Sequence, residues 1–122
     1  MRLLLTGVSS FTGLWFARAL AEAGHEVVAP LRAASYADPL RQARIDEAAE
    51  VAALIPAAPF GSDAFLALIA DLGPFDALCH HAAEAANHKS PDFDVEGAVA
   101  ANTFNVRAVL AAAVKAGARR GR

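Results

Sequence analysis

The first thirteen residues, Met1-Arg2-Leu3-Leu4-Leu5-Thr6-Gly7-Val8-Ser9-Ser10-Phe11-Thr12-Gly13, constrain the fold more than any other stretch. An apolar run, Leu3 to Leu5, stops at Thr6-Gly7, and after a turn of small residues a helical pattern begins near Phe11. Strand, tight turn and helix follow one another with no slack. Gly7 lets the chain turn where a Cβ would clash. The amides of Ser10, Phe11 and Thr12 then make a helix N-terminus, whose N–H groups and partial positive charge suit linked phosphates. Gly13 lets the helix pack closely on the strand. Gly7, Ser9, Ser10, Phe11, Thr12 and Gly13 are therefore the first candidate binding residues.

The remaining pattern alternates strand and helix, which predicts an α/β fold with a parallel sheet. Leu14, Ala17, Leu20, Ala21 and Gly24 recur at spacings of three and four and predict a helix face that packs on the sheet, stopped at Gly24. Trp15, Arg18 and Glu22 fall on another face, where Trp15 reads as a half-exposed packing residue. A second strand runs through Val27 and Val28 to Arg32, with Pro30 marking an edge or bulge near its end. Asp38-Pro39 has the form of an N-cap and first helical residue. The charges that follow, Arg41, Arg44, Asp46, Glu47 and Glu50, read as a solvated surface helix.

The stretch from Glu50 to Ala58 should contain a third strand, and Ser62 or Asp63 caps a helix that Gly73-Pro74 stops. Phe60 is open to two readings, a contact for an adenine ring or core packing. A fourth strand, from Phe75 to Ala83, ends in small residues. A long helix is predicted from Asp92 or Asp94 to Ala116, with Val99, Thr103, Val106, Leu110, Ala113 and Gly117 as its buried stripe.

Composition narrows the chemistry. A chain of 122 residues is one domain, and a net charge of −2 with mixed signs carries no field for nucleic acid. Single Cys79 excludes an internal disulfide and a cysteine-based zinc site, and a reducing cytoplasm fits that usage. Thr6, Gly7, Ser9, Ser10 and Thr12 interrupt the N-terminal apolar run, which argues against a signal peptide, and no stretch has the length of a membrane span. His80 and His81 are neighbours on a strand and point to opposite faces, so no metal site is assigned.

The turn, read as T-G-x-x-S-F-T-G, resembles the T-G-x-x-G-F-x-G of the NAD-dependent epimerase/dehydratase family, the extended short-chain dehydrogenases/reductases. Ser10 replaces the middle glycine. The fourth strand resembles the family's D-x-V-x-H-x-A-A segment, with His80, Ala82 and Ala83 at matching positions. Asn102 matches the asparagine of the family's N-x-x-G-T segment, whose glycine is here Asn105. The resemblance implies a Rossmann-like, doubly wound parallel sheet in the order 3-2-1-4, with a dinucleotide bound at the strands' carboxyl ends. It implies cofactor contacts at Ala82 and Ala83 and a role near the cleft for Asn102, whose amide serves equally as a structural hydrogen-bonding group. NAD enzymes place an acid at the end of the second strand. Here stands Leu31-Arg32, and a guanidinium suits a 2′-phosphate, so NADP is favoured over NAD; an ordinary solvated charge is the other reading of Arg32.

The family's catalytic Tyr-x-x-x-Lys follows a fifth strand. The single tyrosine here, Tyr36, is followed four residues on by Leu40, so no catalytic residue is assigned. Residues 1–122 are expected to be the first half of a cofactor domain, truncated before the fifth strand. Such a piece would leave the fourth strand as an apolar edge that recruits a further segment or a second copy. The expected function is the NAD(P)-binding portion of an epimerase/dehydratase-type oxidoreductase for sugar nucleotides or related small molecules, without catalysis of its own. The alternatives are a non-catalytic dinucleotide-binding regulatory module and a fold whose turn binds nothing.

Overall fold

A computed structural model describes residues 1–34, 36–81 and 105–118. Four strands, β1 (Arg2–Thr6), β2 (Glu26–Pro30), β3 (Ala53–Ile55) and β4 (Ala77–His80), form one parallel sheet in the order β3-β2-β1-β4. The described helices are α1 (Phe11–Glu22), α2 (Pro39–Ala48), α3 (Asp63–Leu72) and α4 (Val106–Ala118). The predicted fold class and strand order are both present.

Successive strand residues point to opposite faces, so a continuous apolar run serves two cores. Leu5, Val27 and Ala29 pack with Leu14 and Ala17 of α1 and with Ile45 and Ala48 of α2. Leu4 and Val28 pack on the other side with Phe65, Leu68 and Ile69 of α3 and with Val109 and Ala116 of α4. Phe65 is fully buried, which contributes about 1.5–3 kcal/mol relative to an exposed ring. Asp76 fixes the β1–β4 register. Its carboxylate accepts from the Arg2 amide at 2.7 Å, and its own N–H donates to the Arg2 carbonyl at 2.7 Å.

Helix ends follow local chemistry. Asp38 caps α2, its carboxylate accepting from the Leu40 amide, and Pro39 opens the helix. Ser62 caps α3 by accepting from the Phe65 amide. Gly24, at φ +92°, ends α1 in the left-handed region that favours glycine. Pro30 lies in β2 opposite Ile55 of β3, past the last residue that β2 pairs with β1, so its missing N–H costs no bond on that side.

Two expectations are corrected. In α4 the buried residues are Val109 and Ala116, with Ala112 partly buried; Val106 and Leu110, expected in the buried stripe, are 38% and 55% exposed. Apolar residues surround most of this helix, so periodicity cannot set its phase, and contact with α3 does. Of the charges on α2, Arg41 and Arg44 reach back to Ser9, and Glu47 pairs with Arg18 at 3.3 Å. That helix therefore braces the N-terminal turn as well as facing solvent.

Candidate functional site

Because the strands are parallel, their carboxyl ends gather at one end of the sheet, where ligands of open α/β folds bind. There lie Thr6 at the end of β1, the turn from Gly7 to Gly13, the segment after Pro30, and His80 at the end of β4.

The turn is built around two glycines. Gly7 has φ +90°, a conformation that side chains rarely adopt. Gly13 is required by contact: a Cβ there would lie 1.8 Å from the Gly7 carbonyl oxygen and 2.6 Å from its carbon. The tight approach is thus between helix and turn, more than between helix and strand as the sequence suggested.

Ser10 is the N-cap of α1. Its hydroxyl donates to the Gly7 carbonyl at 2.9 Å and accepts from the Gly13 amide at 3.0 Å, and its own amide donates to the Gly7 carbonyl at 3.2 Å. The extra side chain therefore folds back into the turn and closes it. The four amides from Ser10 to Gly13 divide into two pairs. Ser10 and Gly13 donate within the turn, while Phe11 and Thr12 have no acceptor among the described residues. An N-terminus with two adjacent uncommitted donors can hold an anion.

Local charge favours the same ligand. The first turn of α1 carries no acid. Arg41 donates from Nη1 to Ser9 Oγ, and Arg44 from Nη1 to the Ser9 carbonyl, both at 3.5 Å. These two arginines were not singled out as site residues. Their spacing of three places them on one helix face, and that was the available signal.

At the neighbouring strand ends, Thr6 is 3% exposed and its hydroxyl lies 2.8 Å from His80 Nδ1. The His80 ring stacks on Phe60 with centroids 4.0 Å apart, and Phe60 also meets Phe65 at 5.1 Å. His81 instead meets Phe16 of α1 at 5.2 Å, on the opposite face of the sheet. Phe60 thus joins core residue to strand end, a position compatible with both earlier readings. After β2, Arg32 is exposed, and its amide and that of Ala33 donate to the Tyr36 hydroxyl at 3.1 and 3.2 Å.

Asn105 accounts for one departure from the family pattern. Its φ is +57°, in the left-handed region that glycine and asparagine tolerate best. Its side-chain Nδ2 donates to the Gly61 carbonyl at 3.0 Å, tying the start of α4 to the loop before α3. Gly7, Ser9, Ser10, Phe11, Thr12 and Gly13 are gathered in one turn, and Arg32 stands beyond the end of the adjacent strand. Ala82, Ala83 and Asn102 lie outside the described residues.

The sequence model of the NAD dependent epimerase/dehydratase family matches residues 3–121. Among solved structures, a chain assigned as a betaketoacyl-ACP reductase is 27% identical, with a TM-score of 0.65 over 100% of this chain and 51% of its own. A short-chain type dehydrogenase/reductase from Mycobacterium marinum is also 27% identical, with a TM-score of 0.63 over 98% of this chain and 51% of its own. The chain therefore spans about half the length of these two structures. No curated protein sequence matches it significantly.

Proposed function

The chain belongs to the NAD-dependent epimerase/dehydratase family, and on that premise we propose that residues 1–122 form a unit that binds NADP through the turn at Gly7–Gly13. The observation that carries this reading is the pair of uncommitted amides, Phe11 and Thr12, at a helix start held open by Gly7 and Gly13. They are the donors for the pyrophosphate. Ser9 and Ser10 shape the turn, and Ser10 does so without spending its hydroxyl on the ligand. Ala82, Ala83 and Asn102 complete the cleft by analogy with the family's segments.

When bound, the cofactor supplies a nicotinamide that accepts or donates hydride. The residues of this chain bind and orient its adenosine and pyrophosphate portion. Arg32 selects NADP over NAD through its fork of N–H donors. Hydride transfer to a sugar nucleotide or related small molecule needs a proton-transferring tyrosine and lysine, and Tyr36 with Leu40 four residues on is not that pair. The unit by itself is accordingly a binding module and not a catalyst.

Titration with NADPH, NADH and ADP-ribose, followed by Trp15 fluorescence, tests the reading. Trp15 is 61% exposed one turn along α1 from the binding amides, so its emission should respond. Binding is expected for all three, tightest for NADPH, with no turnover when candidate sugar nucleotides are added. Failure of all three to bind at millimolar concentration refutes the reading. Turnover by this chain alone refutes its non-catalytic part.

A further inference from the structure

Three large apolar side chains stand in solvent on one face of the molecule: Phe11 is 63% exposed, Trp15 61% and Leu40 61%. They border a hollow of about 250 Å³ between α1 and α2. A fully enclosed aromatic side chain buries about 150–250 Å², so the two rings and Leu40 leave roughly 300–400 Å² of apolar surface in water. A contiguous patch of that size on a small domain is often a contact site. The two sides of the hollow follow one rhythm. From α1 come Phe11, Trp15 and Arg18, and from α2 come Leu40, Arg44 and Glu47, each set at positions i, i+4 and i+7 on one helix face. Each helix leads from the carboxyl end of one parallel strand back to the start of the next, so the two point the same way. The ion pair of Arg18 with Glu47 at 3.3 Å sets the two series level with each other. The hollow is therefore flanked in three steps: Phe11 with Leu40, Trp15 with Arg44, and Arg18 with Glu47.

That order makes the face complementary to itself. A two-fold axis laid along the hollow sets α1 against the α2 of another copy and keeps every step at its own height. Phe11 then meets the second copy's Leu40, Trp15 meets its Arg44, and Arg18 meets its Glu47. Each meeting is favourable: apolar burial, a guanidinium on an indole face, and opposite charges. We propose that two copies of this chain associate through this face, α1 of each lying on α2 of the other. The exposed stripe of α4, Val106, Leu110 and Val114, is less suited to self-contact, because the charged residues of that helix, Arg107 and Lys115, are both positive. Covering the patch on both copies removes roughly 600–800 Å² of apolar surface, and the charged rim brings the total to about 1,000–1,200 Å², the low end for a specific interface. The association is accordingly weak and reversible, and it needs no nucleotide.

Sedimentation equilibrium of the purified, nucleotide-free chain from about 10 µM to about 1 mM tests this, the range in which an interface of that size assembles. The mass should rise from one chain to two. Trp15 is the single tryptophan, so its emission should move to shorter wavelength over the same concentrations. Trp15→Glu should weaken the dimer by about tenfold or more, as loss of a central aromatic anchor does. Arg18→Glu and Glu47→Arg should each weaken it when alone, since like charges then face each other across the axis. An equimolar mixture of those two variant chains should associate more tightly than either alone, because mixing restores opposite charges at both crossings. An ion pair that acts only within one chain predicts no such recovery. Leu110→Glu, on α4, should leave the dimer unchanged, and cooperative melting of each variant separates lost contact from lost fold. A chain that stays monomeric to about 1 mM would overturn the proposal. So would a dimer indifferent to Trp15→Glu, a dimer lost with Leu110→Glu, or a mixture no tighter than its separate variants.

Discussion

Replacing Gly13 with alanine is the sharpest perturbation of the turn. The added methyl would meet the Gly7 carbonyl oxygen at 1.8 Å, its carbon at 2.6 Å and Ser10 Oγ at 2.9 Å. Real Cβ contacts essentially never fall below 3.0 Å, so helix and turn must part by about 1.2 Å. The obstacle is backbone, which cannot swing aside as a side-chain tip does. That separation stretches the Ser10 hydroxyl's bonds to Gly7 and Gly13. Overpacking costs about 1–3 kcal/mol and loss of the cap about 1 kcal/mol, for a total of about 2–4 kcal/mol. For a domain of this length each kcal/mol lowers Tm by roughly 3–6 °C, so the variant should melt about 6–24 °C below wild type. Nucleotide binding should fall with it, because the Phe11 and Thr12 amides no longer converge. Gly117→Ala is the control. Nothing among the described residues lies within 4 Å of a Cβ built there, so it should be neutral or stabilising by up to about 1 kcal/mol through helix propensity. Thermal denaturation by circular dichroism measures both. A Gly13→Ala chain that melts within about 2 °C of wild type and binds NADP⁺ unchanged would refute the close-approach argument.

Substitutions at three further positions test separate parts of the account. Ser10→Ala should cost about 1 kcal/mol in urea unfolding, while Ser10→Gly should cost only a few tenths, because a cap is lost in one and a tolerated cap residue is retained in the other. Asn105→Ala should destabilise by about 1–3 kcal/mol, since it combines left-handed strain with loss of the bond to Gly61, whereas Asn105→Gly should lose only the bond; equal effects would contradict the role given to φ. Thr6→Val should cost about 1 kcal/mol and shift the His80 ring resonances in NMR, and unchanged resonances would remove the Thr6–His80 bond from the site.

Local signals carried most of the fold. The Asp38-Pro39 cap, the serine at Ser62 and the stop at Gly24 each state their position in a few neighbouring residues, and the structure uses them there. The phase of α4 was not legible for the opposite reason. With valine, leucine and alanine around most of its circumference, packing with α3 and the sheet residues Leu4 and Val28 selects Val109 and Ala116 for burial. Gly7 and Gly13 were readable as a turn, but the function of Ser10 was not. Whether its hydroxyl meets a ligand or caps the helix depends on a rotamer that spacing does not encode. Arg41 and Arg44 looked like solvated charges because their partner, Ser9, lies more than thirty residues earlier in the chain. Asn105 read as a defect in a glycine pattern, and its φ of +57° shows the backbone demand that glycine and asparagine share.

The direct test of the phosphate seat is an ¹⁵N–¹H correlation spectrum recorded while NADP⁺ is added. The Phe11 and Thr12 amides should move farthest and shift downfield as they acquire an anionic acceptor, while Gly24, at the far end of α1, stays in place. Saturating shifts that spare Phe11 and Thr12, or that cluster at the distal end of the helix, would contradict the assignment of the ligand to this turn.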